Sequence, residues 1–215
     1  MNLSEYLNKV FPGLSLKPSL YNQWKIGIHF ELGQGLYQFN EDDRLNHEMF
    51  ERVYSQALCI FNSLFSEQDE IFLVTNVYHR NSDKKKIRPT KVYYRFLKNK
   101  DLRFNLEHET LPSVFDDEEK QEEYYTSQFH LKCKKRDLNY TLLIKAICNK
   151  VYSLNPKLGG KNESYPPDVF FVNTTKNIIL FIYDDRGCEV IADETETINI
   201  LIKENISSHR KNMLG

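Results

Sequence analysis

The stretch RLNHEMFERVYSQALCIFNSLF, residues 44–65, decides the fold. Its apolar residues Phe50, Val53, Tyr54, Ala57, Ile60, Phe61, Leu64 and Phe65 recur at steps of three and four, which gathers them on one face of a helix. Each fully buried apolar side chain contributes roughly 1.5–3 kcal/mol gross, so this face demands an apolar surface to cover it. The flanking sequence supplies one. On the amino-terminal side Trp24, Ile26, Ile28, Phe30 and Leu32 alternate with Lys25, Gly27, His29 and Glu31, the period of a half-buried strand, until Gly33 and Gly35 end it. On the carboxy-terminal side residues 70–78 are rich in β-branched and aromatic side chains and read as another strand. The helix is therefore expected to lie on a sheet.

Farther along, a charged loop at 81–88 leads to a strand expected around Val92 to Leu97. Residues 101–120, with Pro112 and the acid run Asp116 to Glu119, read as an exposed connection. Tyr124 to Lys132 is strand-like. Asp137 is the expected N-cap of a helix carrying Leu143, Ala146, Ile147, Val151 and Leu154, stopped at Asn155-Pro156. Past Gly159-Gly160 and Pro166-Pro167, the runs 168–172, 178–183 and 188–192 read as a meander. Its second connection, Asp184-Asp185-Arg186-Gly187, fits a type I turn closed by a glycine at positive φ. A last helix opens at Asp193, with Glu196 in a capping box and Ile198, Leu201, Ile202 and Ile206 on its buried side.

The fold class expected from this order is α+β, a mostly antiparallel sheet with helices packed on it. Residues 22–98 and 122–192 both read strand, helix, strand, strand, as two βαββ halves would, and IHFE (28–31) aligns with FHLK (129–132). An ordinary α+β sheet gives the same order without duplication.

With 215 residues, 40% hydrophobic, the chain can fill one sizeable core, so a single domain over 1–215 is expected. Lys+Arg 29 against Asp+Glu 30 leaves a formal charge of -1, so no global field draws it to nucleic acid or an anionic membrane. Glu5, Pro12 and Gly13 interrupt anything like an export signal, and the most apolar run, 178–183, is far short of the roughly 20 residues that cross a bilayer. Cys59, Cys133, Cys148 and Cys188 form no C-x-x-C pair, and Cys59 and Cys148 fall in helical apolar patterns. They are expected to be free, buried thiols of a cytoplasmic protein.

Motif chemistry is sparse. No histidine pair has metal-ligand spacing, and Gly33-Gln34-Gly35 lacks the rest of a dinucleotide fingerprint, so neither metal nor cofactor is expected. His29 with His130 and Asp184 or Asp185 would make an acid–base site if the fold gathered them, since imidazole and carboxylate are the usual proton carriers. Otherwise Asp184, Asp185, Arg186 and Gly187 serve the turn alone. Lys84, Lys85, Lys86 and Arg88, with Tyr93 nearby and Lys132, Lys134, Lys135 and Arg136 as a second cluster, are the candidate footprint for nucleic acid.

The segments HFELG (29–33), FFVN (170–173) and above all IYDDRGCEVIA (182–192), with the helix ending at Ile60-Phe61, resemble an uncharacterised family of Bacillus and related firmicute proteins. The resemblance covers most of the chain and implies a bacterial cytosolic protein, without an activity, substrate or catalytic residue. The residues themselves favour a non-enzymatic protein that binds a protein partner, of the kind that provides immunity to a toxin, because tyrosines and charges abound and catalytic motifs do not. A nucleic-acid binder and a hydrolase using His and Asp are the alternatives.

Overall fold

The helix expected over 44–65 begins at His47, because the Asn46 side chain accepts the Met49 amide at 3.2 Å and so caps the first turn. It ends at Phe65, whose backbone is extended. In this computed structural model, which describes residues 1–82, 90–114, 123–158 and 166–199, the elements run α1 (Leu3–Val10), α2 (Leu20–Gln23), β1 (Gly27–Glu31), α3 (His47–Leu64), β2 (Glu70–Arg80), α4 (Val92–Arg95), β3 (Glu107–Pro112), β4 (Tyr124–Lys134), α5 (Tyr140–Cys148), β5 (Asp168–Asn173), β6 (Ile178–Asp184) and β7 (Gly187–Ala192).

The seven strands form one sheet in the order β1-β7-β6-β5-β2-β4-β3, and every pairing is antiparallel. The α+β expectation holds. Successive strand residues face opposite sides, so the sheet divides its side chains between two cores. On one face Ile71, Leu73, Phe171, Leu180, Ile182 and Val190 meet the apolar stripes of α3 and α5. There Phe61 stacks on Phe65 and meets Phe171 edge-on, with ring centroids 5.0 Å apart in the second contact.

On the other face Phe72, Val74, Phe170, Val172, Ile179, Phe181 and Ile191 are covered by Leu3, Tyr6, Phe11, Leu16 and Leu20 of the amino-terminal segment. Asn2 and Glu5 cap α1 reciprocally, which fixes its start. Polar ties then fasten this cover to the sheet: Tyr6 hydroxyl to Asn177 Oδ1 at 2.9 Å, Asn76 Nδ2 to the Leu16 carbonyl at 2.6 Å, and Trp24 Nε1 to the Ala192 carbonyl at 2.8 Å.

Several expectations are corrected. Val92 to Leu97 is not a strand: Val92 and Tyr93 are buried together with Phe96 and Leu97, a four-residue recurrence that suits the helical turn α4. Residues 22–98 therefore do not repeat the element order of 122–192. Asp137 does not cap α5. It accepts the Lys134 amide at 2.9 Å inside a 3-10 turn, and α5 starts after Asn139. That helix stops at Cys148, because the Asn149 side chain turns to bond Tyr54 and the Pro156 carbonyl, leaving Val151 exposed. Cys59 is exposed on the outer side of α3, whereas Cys133, Cys148 and Cys188 are buried free thiols whose pKa values burial pushes up. Residues 195–199 are helical with Ile198 buried, and the rest of the last helix lies outside the described residues. No helix among the described residues is long and apolar enough to cross a membrane.

Candidate functional site

The amino-terminal cover is shorter than the sheet beneath it. At the β1–β7–β6 end it leaves an open cleft of about 770 Å³, lined by Tyr21, His29, Lys150, Asp168, Tyr183, Arg186 and Glu189 among others. A smaller cleft of about 280 Å³ between the amino-terminal segment and β3–β4 contains none of the candidate site residues named from the sequence.

Register explains the wall of the larger cleft. His29 on β1 is directly opposite Glu189 on β7, and Glu189 is opposite Phe181 on β6, so these three share one face. Tyr183, two residues beyond Phe181, leans over Gly187 and brings its hydroxyl 2.9 Å from His29 Nε2, with the two rings stacked. Burial raises the Tyr183 phenol to about 12, so it keeps its proton through the physiological range. Tyr21, on α2, also packs against the His29 ring, with centroids 5.7 Å apart.

Glu189 is 5% exposed. Backbone amides of Leu20 and Tyr21 bond its carboxylate, yet its Oε2 has no hydrogen-bond partner. Burial raises its pKa, and those two amides and His29 oppose the rise. Across the cleft Lys150 pairs with Asp168, which also accepts from the Tyr78 hydroxyl, so that wall is internally compensated. Among the described residues, no group of three or more His, Cys, Asp or Glu side chains could hold a metal ion.

The proposed gathering of His29 and His130 does not occur. Both lie on the same face, but β7, β6, β5 and β2 intervene between β1 and β4, which is five strand spacings or about 24 Å at ~4.8 Å each. His130 is 1% exposed and has Glu107 Oε2 3.3 Å from its Nε2. Asp184 and Asp185 are divided between two tasks. Asp184 accepts the Arg186 amide at 2.8 Å and holds the Arg186 guanidinium, as a turn residue does. Asp185, also buried, takes a bond from Gln38 Nε2 at 3.2 Å, and burial raises its pKa.

Gly187 is not at positive φ, contrary to the turn expected for it. It is required for another reason: a Cβ there would collide with the Tyr183 hydroxyl and would sit 2.5 Å from the Phe30 carbonyl. The glycine thus lets Tyr183 lie flat and reach His29. Tyr93 is also corrected. It is fully buried and its hydroxyl bonds the Phe129 carbonyl at 2.7 Å, so its ring is not presented for stacking on a base. Lys84, Lys85, Lys86 and Arg88 lie outside the described residues. In the second basic cluster Lys132 pairs with Glu70 at 2.9 Å, and Lys135 is buried against Asn62 and the Phe65 carbonyl.

Sequence reasoning passed over Tyr21, Lys150, Asp168, Tyr183 and Glu189. Glu189 had a visible signal, an acid inside the apolar run GCEVIA, every residue of which is buried.

Exposed aromatic side chains lie near this end of the sheet. The β1–α3 loop exposes Tyr37 (81%) and Phe39, while its Gln38 reaches down to Asp185 beside the β6–β7 turn. Phe39 meets Tyr152 edge-on, and the adjacent Val151 is 69% exposed. Tyr37, Phe39, Val151 and Tyr21 therefore fringe one end of the molecule.

The family model described as "Domain of unknown function (DUF3885)" matches residues 3–205. The chain is 50% identical over 204 residues to "Uncharacterized protein YnaE" of Bacillus subtilis (strain 168), a match covering 95% of each chain. No solved structure matches it.

Proposed function

The chain belongs to the DUF3885 family of domains of unknown function, and from that premise we propose that it is a non-enzymatic cytoplasmic protein that binds a protein partner, in the manner of a toxin-immunity protein. One observation carries this reading: exposed Tyr21 and Val151 line the His29–Tyr183–Glu189 cleft, and exposed Tyr37 and Phe39 flank Gln38, which bonds Asp185 between the cleft residues Asp184 and Arg186. Aromatic side chains around a pocket are the usual anchors of protein interfaces, because they bury much area while losing few rotatable bonds.

The two alternatives have less support. The hydrolase reading needs His29, His130 and Asp184 or Asp185 together, and the fold spaces the histidines far apart. The nucleic-acid reading loses Tyr93 to the core, and Lys132 and Lys135 are occupied by other side chains.

The test is co-purification of the tagged chain with proteins encoded beside it, using wild type and the Tyr37→Ser/Phe39→Ser double variant. Both residues are exposed, so the variant should keep its fold by circular dichroism. We expect a stable complex with wild type and at least tenfold weaker binding with the variant. An equally tight complex with the variant, or none with either, would sink the reading.

A further inference from the structure

The cleft also indicates what the partner presents. We propose that Glu189 is a capture point for a basic side chain, a guanidinium above all, inserted by the partner between the rings that line the cleft. This deepens the protein-binding reading and rests on it.

Three observations converge. First, Glu189 Oε2 is buried and unpartnered, whereas buried polar atoms are nearly always hydrogen-bonded, so the site is built for a donor that arrives from outside. The Leu20 and Tyr21 amides act on the same carboxylate, and Oε2 is still left without a partner. Second, His29 stacks on Tyr183 and packs against Tyr21, so planar aromatic faces stand beside that oxygen, and guanidinium groups stack on such faces while donating in their own plane.

Third, the charges around the cleft favour a cation. Each lysine or arginine that lines it already has an acid: Lys150 with Asp168 and Arg186 with Asp184. Of the acids lining the cleft, Glu189 is the one with no ion pair among the described residues, so the lining carries surplus negative charge. That surplus would steer a basic partner toward the cleft. An anionic ligand would meet the opposite field. Tyr21 is 41% exposed, so its ring can swing aside to admit the entering group without disturbing the sheet.

The experiment needs no partner. N-acetylarginine amide is titrated into the isolated chain, with histidine and tyrosine ring signals followed by NMR, and N-acetylcitrulline amide serves as the uncharged analogue. The arginine probe is expected to shift the His29 and Tyr183 signals with a dissociation constant of about a millimolar. The citrulline probe should bind at least tenfold more weakly to the same wild-type protein. Glu189→Gln should weaken the arginine probe by at least tenfold. Equal binding of the two probes, retention of arginine binding in Glu189→Gln, or no ring shifts up to about 10 mM would each overturn the proposal. Failure here leaves the complex and its loss in the Tyr37→Ser/Phe39→Ser variant untouched, whereas arginine binding at Glu189 with no complex in the co-purification would overturn the protein-binding reading and with it the partner assigned to this cleft.

Discussion

The two faces of the sheet are covered in different ways. Two amphipathic helices, α3 and α5, cover one face, and its side chains are almost wholly apolar. The other is covered by α1, α2 and the irregular chain between them, and beyond that cover Glu189, His29 and His130 occupy sheet positions where apolar residues would otherwise stand. The first face spends its surface on stability. The second keeps a core under a narrow cover and gives its β1–β7–β6 end to chemistry, which is where a partnerless carboxylate is tolerated.

The sharpest way to break this contrast is Phe171→Ala on the helical face. Phe171 is fully buried against Phe61 and Phe65, so the change should cost about 3–5 kcal/mol in a urea titration. A cost under about 1 kcal/mol would mean that the helical face is not the main core. Gly187→Ala, on the cleft face, should cost about 1–3 kcal/mol, because the new methyl must push into the Phe30 carbonyl. It should also release His29 from Tyr183, visible as a changed His29 ring signal. A stability unchanged by Gly187→Ala would refute the close approach.

Tyr6→Phe tests the cover itself. Losing the hydroxyl bond to Asn177 should cost about 1 kcal/mol by the same titration, and a neutral result would show that the cover is held by apolar contact alone.

Glu189 offers a test by pH. Its folded pKa is raised above the unfolded value, so the folded state binds the extra proton between the two values. Stability is therefore lost as pH rises from the ordinary glutamate range through the folded pKa. Glu189→Gln should melt higher than wild type at neutral pH, and the gap should close once the solution is acidic enough to protonate the carboxyl in both states. A gap independent of pH would show that Glu189 is not held in a desolvating site.

The smallest effect belongs to Cys59→Ser, on the exposed side of α3, which should stay within about 0.5 kcal/mol of wild type. In the native protein Cys59 alone should be alkylated, with the other three thiols reacting only after unfolding. Rapid native modification of Cys133, Cys148 or Cys188 would show that the core opens.

The difference between the faces also explains what the sequence disclosed. Periodicity reveals an element when one side of it is wet, and α3 and the β1 region have that property. In β5 and β7, where every residue is buried, the apolar runs show the strands but not which side each residue takes, so the acid of GCEVIA is visible while the face it occupies is not. The α1 cover is hard to see in the sequence because Pro12 and Gly13 cut its apolar pattern short, although Asn2 and Glu5 have the spacing of a capping box. His29 was noticed for its residue type. Its partners Tyr183 and Glu189 come from strands more than 150 positions away, and only register could bring them beside it.

That register has a consequence for synthesis. Residue 27 pairs with residue 191, so β1 has no neighbour until β7 has been made, and the amino-terminal segment has no finished sheet to rest on. At ~5–20 residues per second, a nascent chain waits roughly 10–40 s with its first strand and cover helices exposed. The binding end of the molecule is thus among the last parts to form, and no incomplete chain that lacks β7 can present it.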